Sequence, residues 1–258
     1  MPRVLKQIIY GIFYLLIVSA ISFGVYWFFG RPAETCLDNI QNQNEIGVDC
    51  GGLCVSCELK NIKPLSVSDT SVFQVKNLSS ALFKIYNPNI NYGSDIFKYK
   101  INFYDFNGKL IESINRSSFI YAGENKNMVE AGIDVGSAKI SRAEVVVADT
   151  RWILSGEFQP PAFETNNLRT GKTGDTFIVS GVIKNVNSFS IARIIINAVL
   201  VNKAGSALGA TRTEIDDLNA FSERNFSVFA QVDPFLINQV DASNTQFFIE
   251  ARRDKASE

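Results

Sequence analysis

The sequence lacks histidine: none occurs among its 258 residues. This absence excludes Ser-His-Asp and Cys-His catalysis, imidazole metal ligands, and the side chain that most often titrates near neutral pH. No glycine-rich phosphate loop joins a strand to a helix either. Basic residues (25) and acidic residues (26) are nearly equal in number and scattered, so the chain lacks the basic surface typical of nucleic-acid-binding proteins. We expect no enzyme activity, no cofactor and no nucleic-acid partner.

One long segment lacks charge altogether. Ile8–Phe29 spans 22 residues without Asp, Glu, Lys or Arg. A helix of that length reaches roughly 33 Å, enough to cross the ~30 Å hydrocarbon core of a bilayer. A cleaved signal peptide would have a shorter apolar region followed by small residues, whereas this run ends in Tyr26-Trp27-Phe28-Phe29. Arg3 and Lys6 precede it and mostly acidic residues follow Arg31, so the positive-inside rule predicts a cytoplasmic N-terminus.

Cysteine is scarce and clustered. The chain has four, Cys36, Cys50, Cys54 and Cys57, all beyond the apolar segment. An even number outside the membrane predicts two disulfides, which would hold a segment too short to bury a core. Three pairings are open, and the spacing does not choose among them. The last three cysteines also have the spacing of the iron–sulfur ligands of radical S-adenosylmethionine enzymes, but that chemistry needs a reducing compartment and a catalytic barrel. A zinc site of four thiolates would need a second C-x2-C pair.

The residues between these cysteines resemble a short cysteine-rich module of extracellular proteins, of the form C-x-D-G-x-x-N-x-x-E-x-x-x-D-C-G-G-x-C-x-x-C. Asn39 stands where that module has Gly, and Asn tolerates the same left-handed turn. The pattern of a calcium loop is not met, because Ile40 occupies its third position. We therefore expect a solvated loop without a metal. The oxygen-bearing candidates for calcium would be Asp38, Asn42, Glu45 and Asp49.

The rest of the chain contains one pattern twice. From about Leu59 it consists of short runs of β-forming residues separated by turn residues. Landmarks recur 97 or 98 positions apart, which indicates a tandem duplication. They are Asn87-Pro88-Asn89 and Asn185-Val186-Asn187, the strands Tyr99–Phe103 and Ile196–Leu200, and the turns Asp105–Gly108 and Asn202–Gly205.

Apolar and polar residues alternate along these runs, which predicts strands with one face in a core and one in water. Such strands with frequent turns are typical of antiparallel β-sandwiches. Gly108 and Gly205 follow polar residues at hairpin tips, where a positive φ is expected. Two runs should each place four apolar residues on one face. They are Val129, Ala131, Ile133 and Val135, and Phe226, Val228, Ala230 and Val232.

The repeated segments resemble two known β families. Ile101-Asn102-Phe103-Tyr104-Asp105 with Gly108 resembles the signature strand of FxLYD domains. Asn87-Pro88-Asn89 is similar to the Asn-Pro element of late-embryogenesis-abundant type 2 domains, which share the Ig-like sandwich. The second copy has Val201 and Asn202 in place of Tyr and Asp. The resemblance implies an extracytoplasmic prokaryotic protein, often membrane-anchored, without known catalysis.

We therefore predict a mainly β chain with two tandem Ig-like antiparallel β-sandwiches and one N-terminal transmembrane α-helix. The predicted segments are a cytoplasmic N-terminus (1–7), the transmembrane helix (8–29), a cysteine-rich neck (30–58), a first sandwich (59–157), a second sandwich (158–253) and a tail (254–258).

The predicted function is that of a single-pass protein of the cell membrane with its modules outside the cytoplasm. The expected partners are the lipid bilayer and a protein of the cell envelope, in a structural or protein-binding role. One alternative is a thiol or metal redox protein using Cys50, Cys54 and Cys57. Another is a stress-protective protein of the late-embryogenesis-abundant type, which the second resemblance alone indicates.

Overall fold

The computed structural model describes residues 2–29, 35–42 and 44–253. The chain is mainly β, as predicted, and it divides into two compact units, Met1–Ile62 and Lys63–Glu258. The first unit holds both described α-helices and the cysteines, and the second holds every described strand and three short 3-10 helices. The predicted tail (254–258) and residues 30–34, which include Arg31, lie outside the described residues.

Helix α1 comprises Arg3–Phe29, so it begins five residues before the uncharged run. Leu, Lys and Gln form helices readily, which explains why the helix continues through the charged end. Arg3–Phe28 is long and apolar enough to cross a membrane, and its most apolar window is not buried by protein. A four-residue helix, α2 (Cys57–Lys60), follows the cysteines; the Ser56 hydroxyl accepts the Glu58 N–H at its start.

The second unit is built from four antiparallel three-stranded sheets. The strands are β1 Ser66–Val75, β2 Leu78–Tyr86, β3 Tyr92–Asp105, β4 Leu110–Ile120, β5 Asn125–Asp134, β6 Ile140–Leu154, β7 Phe163–Thr173, β8 Thr176–Asn185, β9 Ile191–Val201, β10 Ala207–Leu218, β11 Glu223–Gln231 and β12 Gln246–Ala251. Their orders are β1-β2-β5 and β4-β3-β6, then β11-β8-β7 and β10-β9-β12. Adding six to each strand number of the first two sheets gives the last two, so both halves share one topology.

Each half is a sandwich of two sheets around its own core. In the first module, Phe83 and Ile85 of one sheet share a cluster with Ile101 and Phe103 of the other. The core of the second module joins β8 and β11 to β9 and β10 in the same way. The prediction of two tandem sandwiches is thus confirmed. Their Ig-like assignment stays a prediction.

The first asparagine of each repeated Asn-x-Asn segment closes the loops at one end of its module. Asn87 and Asn185 are fully buried. The Asn87 amide donates to the carbonyls of Tyr92 and Tyr121, at 2.7 and 2.9 Å. Each buried carbonyl needs a donor, which explains why an amide side chain occupies this position in both copies. The Asn185 amide donates to three carbonyls, those of Phe189, Leu218 and Asn219.

The second asparagine of each segment binds the chain that enters the module. Asn89 accepts the N–H of Lys63 at 3.0 Å and donates to its carbonyl at 2.8 Å. Asn187 makes the same pair of bonds with Ala162, at 3.1 and 2.8 Å. The two copies therefore share the same structural roles, because the first asparagine closes the loops and the second binds the entering chain in each of them.

The repeated turns also match in detail. The Oδ1 atoms of Asp105 and Asn202 each accept two N–H groups of their turn, at 2.8–2.9 Å. Gly108 has a φ of +77° and Gly205 a φ of +81°. The predicted positive φ is confirmed at both glycines.

One predicted alternation is wrong. Val129 and Ala131 lie in a cluster separate from the core of the first module, whereas Ile133 and Val135 lie in that core. Gly132, with a φ of +73°, and a register shift in the β2–β5 pairing fall in this region. A bulge adds one residue to the strand, so alternate positions before and after it face opposite sides. The four residues of the second copy all face its core, as predicted: Phe226, Val228, Ala230 and Val232.

Candidate functional site

The cysteine-rich segment is closed by two disulfides. Cys36 bonds to Cys54 and Cys50 bonds to Cys57, so no cysteine is free. The two bonds interleave along the chain, because Cys50 lies inside the loop closed by the first bond and Cys57 lies outside it. Thiol attack and thiolate ligation both need an unpaired thiolate, which this pairing does not provide.

The acidic residues of this segment accept hydrogen bonds from its own backbone. Glu45 is 7% exposed, and its Oε2 accepts the N–H groups of Asn42 and Asp49 at 3.3 and 3.0 Å. Asp49 is 8% exposed; its Oδ1 accepts the Asn39 N–H at 2.9 Å and its Oδ2 lies 3.7 Å from Lys60 Nζ. Buried carboxylates thus accept the backbone N–H groups of tight turns, which have no partner in a regular helix or sheet.

Asp38 has a comparable role at the start of the segment. Its Oδ2 accepts the Asn42 amide at 2.9 Å and the Thr35 N–H at 3.2 Å, and its Oδ1 accepts the Ile40 N–H at 2.9 Å. The Asn42 amide, and then the two N–H groups, hold the pKa of Asp38 below its usual value. Asn39 adopts a φ of +60°, the left-handed turn expected from the module pattern.

Among the described residues, Cys36, Glu45 and Cys54 place potential metal-ligand atoms within 4.8 Å of one another. Both sulfurs belong to one disulfide, so the group lacks the thiolates that a metal would bind. Glu45 Oε1 lies 3.0 Å from Cys54 Sγ, but this sulfur carries no hydrogen, so the contact is not a hydrogen bond. The expectation that Asp38, Asn42, Glu45 and Asp49 form a solvated loop without calcium stays a prediction.

The two β-modules pack against each other along a surface that we call the seam. Its apolar part joins β1, β2 and β5 of the first module to β9, β10 and β12 of the second. The cluster comprises Val129, Val199, Val201 and Ala210, with Phe73, Leu82, Ala131, Ala207 and Phe248 packed against them. Burial of this apolar surface favours a fixed arrangement of the two modules.

Glu130 lies at the centre of the charged part of the seam. It is 2% exposed, and its Oε1 accepts the Tyr99 hydroxyl at 2.5 Å and Arg212 Nη1 at 3.0 Å. Its Oε2 lies 3.6 Å from Nε of Arg116. Arg212 belongs to the second module and the other residues to the first, so one carboxylate joins both. Burial, and then the charge of Glu130, raise the pKa of Tyr99, which keeps this phenol protonated as a donor.

Lys126 and Glu250 form a second buried pair across the seam. Their Nζ and Oε2 atoms are 2.8 Å apart, and the side chains are 3% and 6% exposed. Lys126 Nζ also donates to Ser118 Oγ and to the Phe119 carbonyl, at 3.1 and 2.8 Å. Glu250 Oε1 accepts the Asn197 amide at 2.5 Å. Both buried ions therefore have the additional hydrogen bonds that a buried pair needs.

Two further hydrogen bonds fasten the end of β12 to the first module. The Tyr121 hydroxyl donates to the Ala251 carbonyl at 2.8 Å, and Arg252 Nη1 donates to the Asp95 carbonyl at 2.6 Å. Hydrogen bonds thus cross the seam at the end of β12 as well as at its centre.

An open cleft lies beside the charged part of the seam. Both modules line it, and its charges are of both signs: Lys98, Arg116, Glu130, Arg193, Arg212, Glu214 and Glu250. Arg193 Nε lies 3.5 Å from Glu214 Oε2, so pairing continues toward the rim. Such a mixed surface suits polar contacts with a partner more than concentration of a ligand of one charge.

The sequence analysis identified the disulfide-forming cysteines but not the seam. One signal was available. Glu130 occupies the position of Val228 in the second copy, and Tyr99 occupies that of Ile196. A charge and a hydroxyl at positions that are apolar in the sister copy indicate a buried polar contact.

Comparison with known proteins shows no family. No family model matches the chain, and no curated protein matches it. Among solved structures it is similar to one described as a β-glucuronidase from glycoside hydrolase family 2, at 10% identity and a TM-score of 0.23, over 70% of this chain and 24% of that chain. This chain spans about a quarter of that protein's length, and a similarity this low supports neither a fold nor a function.

Proposed function

We propose that this is a single-pass membrane protein whose two β-modules act outside the cytoplasm as a rigid structural or protein-binding element of the cell envelope. The length and apolar character of α1 support the anchor. The two disulfides support an oxidising compartment for the part of the chain beyond it, since cytosolic thiols are kept reduced. Arg3 and Lys6 at the start of α1 support a cytoplasmic N-terminus.

The observation that carries the rigid-element role is the charged seam. Two ion pairs join one module to the other: the buried Glu130 pairs with the partly buried Arg212, and the buried Lys126 pairs with the buried Glu250. Separation of the modules would expose the apolar cluster and break both pairs. A double module held in this way presents its loops in one fixed geometry, which suits recognition by another envelope protein.

The state of the seam residues also favours binding over catalysis. A tyrosine nucleophile needs a lowered pKa, whereas the pKa of Tyr99 is raised by its burial and by Glu130. Glu130 is occupied by a phenol and a guanidinium, so neither group is available to a substrate in this arrangement.

Topology is tested by adding protease to intact cells. The β-modules should be cut from outside while α1 stays with the membrane fraction. Protection of the modules in intact cells, with digestion only after lysis, contradicts the extracytoplasmic placement.

The binding role is tested by photo-crosslinking in living cells. A photoreactive residue is introduced separately at Phe106, Phe221 and Phe235, which lie in three different loops and are 79%, 66% and 92% exposed. A specific partner should be captured from some of these loops and not from others. No product from any site, or the same mixture from all three, argues against a defined partner.

A further inference from the structure

In the disulfide module, Thr35–Cys57, the usual burial pattern is reversed: two carboxylates are buried and the aliphatic side chains are exposed. The module buries the carboxylates of Glu45 and Asp49 beside Cys50. All six of its Leu, Ile and Val side chains are exposed: Leu37 (88%), Ile40 (61%), Ile46 (79%), Val48 (46%), Leu53 (84%) and Val55 (61%). Folded domains ordinarily bury such residues, so a module that exposes all of them offers apolar surface for a cover from outside itself.

The position of the module in the chain indicates what that cover is. Helix α1 ends at Phe29 and the described part of the module begins at Thr35. Six peptide steps span at most roughly 20 Å when fully extended. A module tethered this closely to a transmembrane helix stays near the headgroup region, which extends the bilayer to ~40–45 Å in total. The most apolar window of α1 is likewise not buried by protein.

The charges of the module are arranged compatibly with a bilayer as its neighbour. The oxygens of Glu45 and Asp49 accept backbone N–H groups inside the module, so these carboxylates do not face outward. Next to the module, Lys60 of α2 donates from Nζ to the Val48 carbonyl at 2.9 Å, and a lysine beside apolar residues can extend its ammonium toward headgroups.

We propose that the disulfide module is a membrane-interfacial element. Its exposed aliphatic side chains lie at the boundary between headgroups and acyl chains of the bilayer that α1 crosses, as the apolar faces of interfacial helices do. The inference rests on the proposed anchorage. It assigns the module a second role beyond closing the chain with disulfides, since it would fix the membrane-proximal end of the extracytoplasmic part.

The test uses tryptophan fluorescence of the full chain in phosphatidylcholine vesicles, with and without dibrominated phosphatidylcholine. The protein has two tryptophans: Trp27 in α1 reports on the anchor, and Trp152, packed against the first core, provides a shielded reference. Trp152→Phe and Trp27→Phe isolate each signal. The test variant combines Trp27→Phe, Trp152→Phe and Leu53→Trp; a second version carries Leu37→Trp in place of Leu53→Trp. Alkylation and mass analysis verify that both disulfides remain.

With the new tryptophan at the acyl boundary, brominated lipid should remove about half of its fluorescence, and aqueous iodide should quench it weakly. If iodide quenches the introduced tryptophan strongly and brominated lipid does not, while Trp27 is quenched by the lipid, the module lies in water. That result overturns the interfacial inference and leaves the proposed function standing. Protection from both quenchers means that protein covers the patch, a second copy or another chain, and overturns it too. If brominated lipid does not quench Trp27, α1 is not in the bilayer, and this result contradicts the proposed membrane anchor and with it the proposed function.

Discussion

The two β-modules share a topology and differ in what their cores contain. Both use a buried asparagine to close their loops and a positive-φ glycine in the same hairpin. The second module has Ile196 and Val228 where the first has Tyr99 and Glu130. The polar pair in the first copy receives Arg212 from the second. The difference teaches that the same two positions serve an apolar core in one copy and a connection to the neighbouring module in the other.

The largest effect is expected when the first module receives the second module's residue at the position of Glu130, which is valine. Glu130→Val leaves the Tyr99 hydroxyl and Arg212 without their shared acceptor. Arg212 is 26% exposed and keeps the Val129 carbonyl and Glu214 as partners, so the main penalty comes from the unsatisfied buried phenol. We expect a loss of about 2–3 kcal/mol in the free energy of unfolding of the β-modules. Denaturant titration of the full chain in detergent micelles measures it.

The matched control removes the whole contact. A variant with Tyr99→Phe, Glu130→Val and Arg212→Leu leaves no buried charge uncompensated, and such replacements are often neutral in stability. Its unfolding free energy should lie within about 1.5 kcal/mol of the wild type. A triple variant as unstable as Glu130→Val alone would show that the polar contact itself, and not the penalty for an unsatisfied buried group, holds the modules together.

The next comparison concerns the paired asparagines. Asn87→Ala removes the amide donor to the Tyr92 and Tyr121 carbonyls, and Asn185→Ala removes the amide donor to three carbonyls. Each substitution should cost about 1–3 kcal/mol, from the loss of hydrogen bonds inside the protein. Thermal unfolding followed by circular dichroism measures both. If only one of the two copies responds, the equivalence of the asparagines is wrong despite their matching geometry.

The contrast between these two sets of residues explains what the sequence could reveal. The turn glycines act locally, within a hairpin loop, so the sequence predicted their positive φ correctly. The asparagines were recognised only as a repeated landmark, because their partners include carbonyls 34 and 33 positions away. The bulge at Gly132 and the partner of Glu130 depend on pairing between distant strands, which no local pattern records. The disulfide pairing had the same limit, because three connectivities fit the spacing of the cysteines.

A smaller effect on stability is expected at a position where the first copy has glycine and the second has an aromatic residue. Gly123 of the first copy and Phe221 of the second both adopt positive φ, +66° and +56°. Gly123→Ala should destabilise by about 1 kcal/mol, because a Cβ strains this conformation. Phe221→Gly should stabilise by about 0.5 kcal/mol, since relief of strain exceeds the entropic cost of glycine. Equilibrium unfolding of both variants checks the opposite signs.

The smallest expected difference concerns pH. Burial raises the pKa of Glu124 above its usual value, and the second copy has Ser222 at this position. A raised carboxyl pKa contributes stability that is fully present below the unfolded pKa and is lost as pH rises through the folded one. The unfolding free energy of the wild type relative to Glu124→Gln should therefore decline as pH increases across that window. A difference independent of pH contradicts the assignment.

The central claim is that the seam makes the two modules one cooperative unit, and native-state hydrogen exchange of the full chain in lipid nanodiscs tests it most directly. Amides of β2 and β5 in the first module and of β8 and β11 in the second should exchange through an opening of the same free energy and the same denaturant dependence. In Glu130→Val the two sets should separate. Different opening free energies already in the wild-type protein, unchanged by Glu130→Val, would contradict the account.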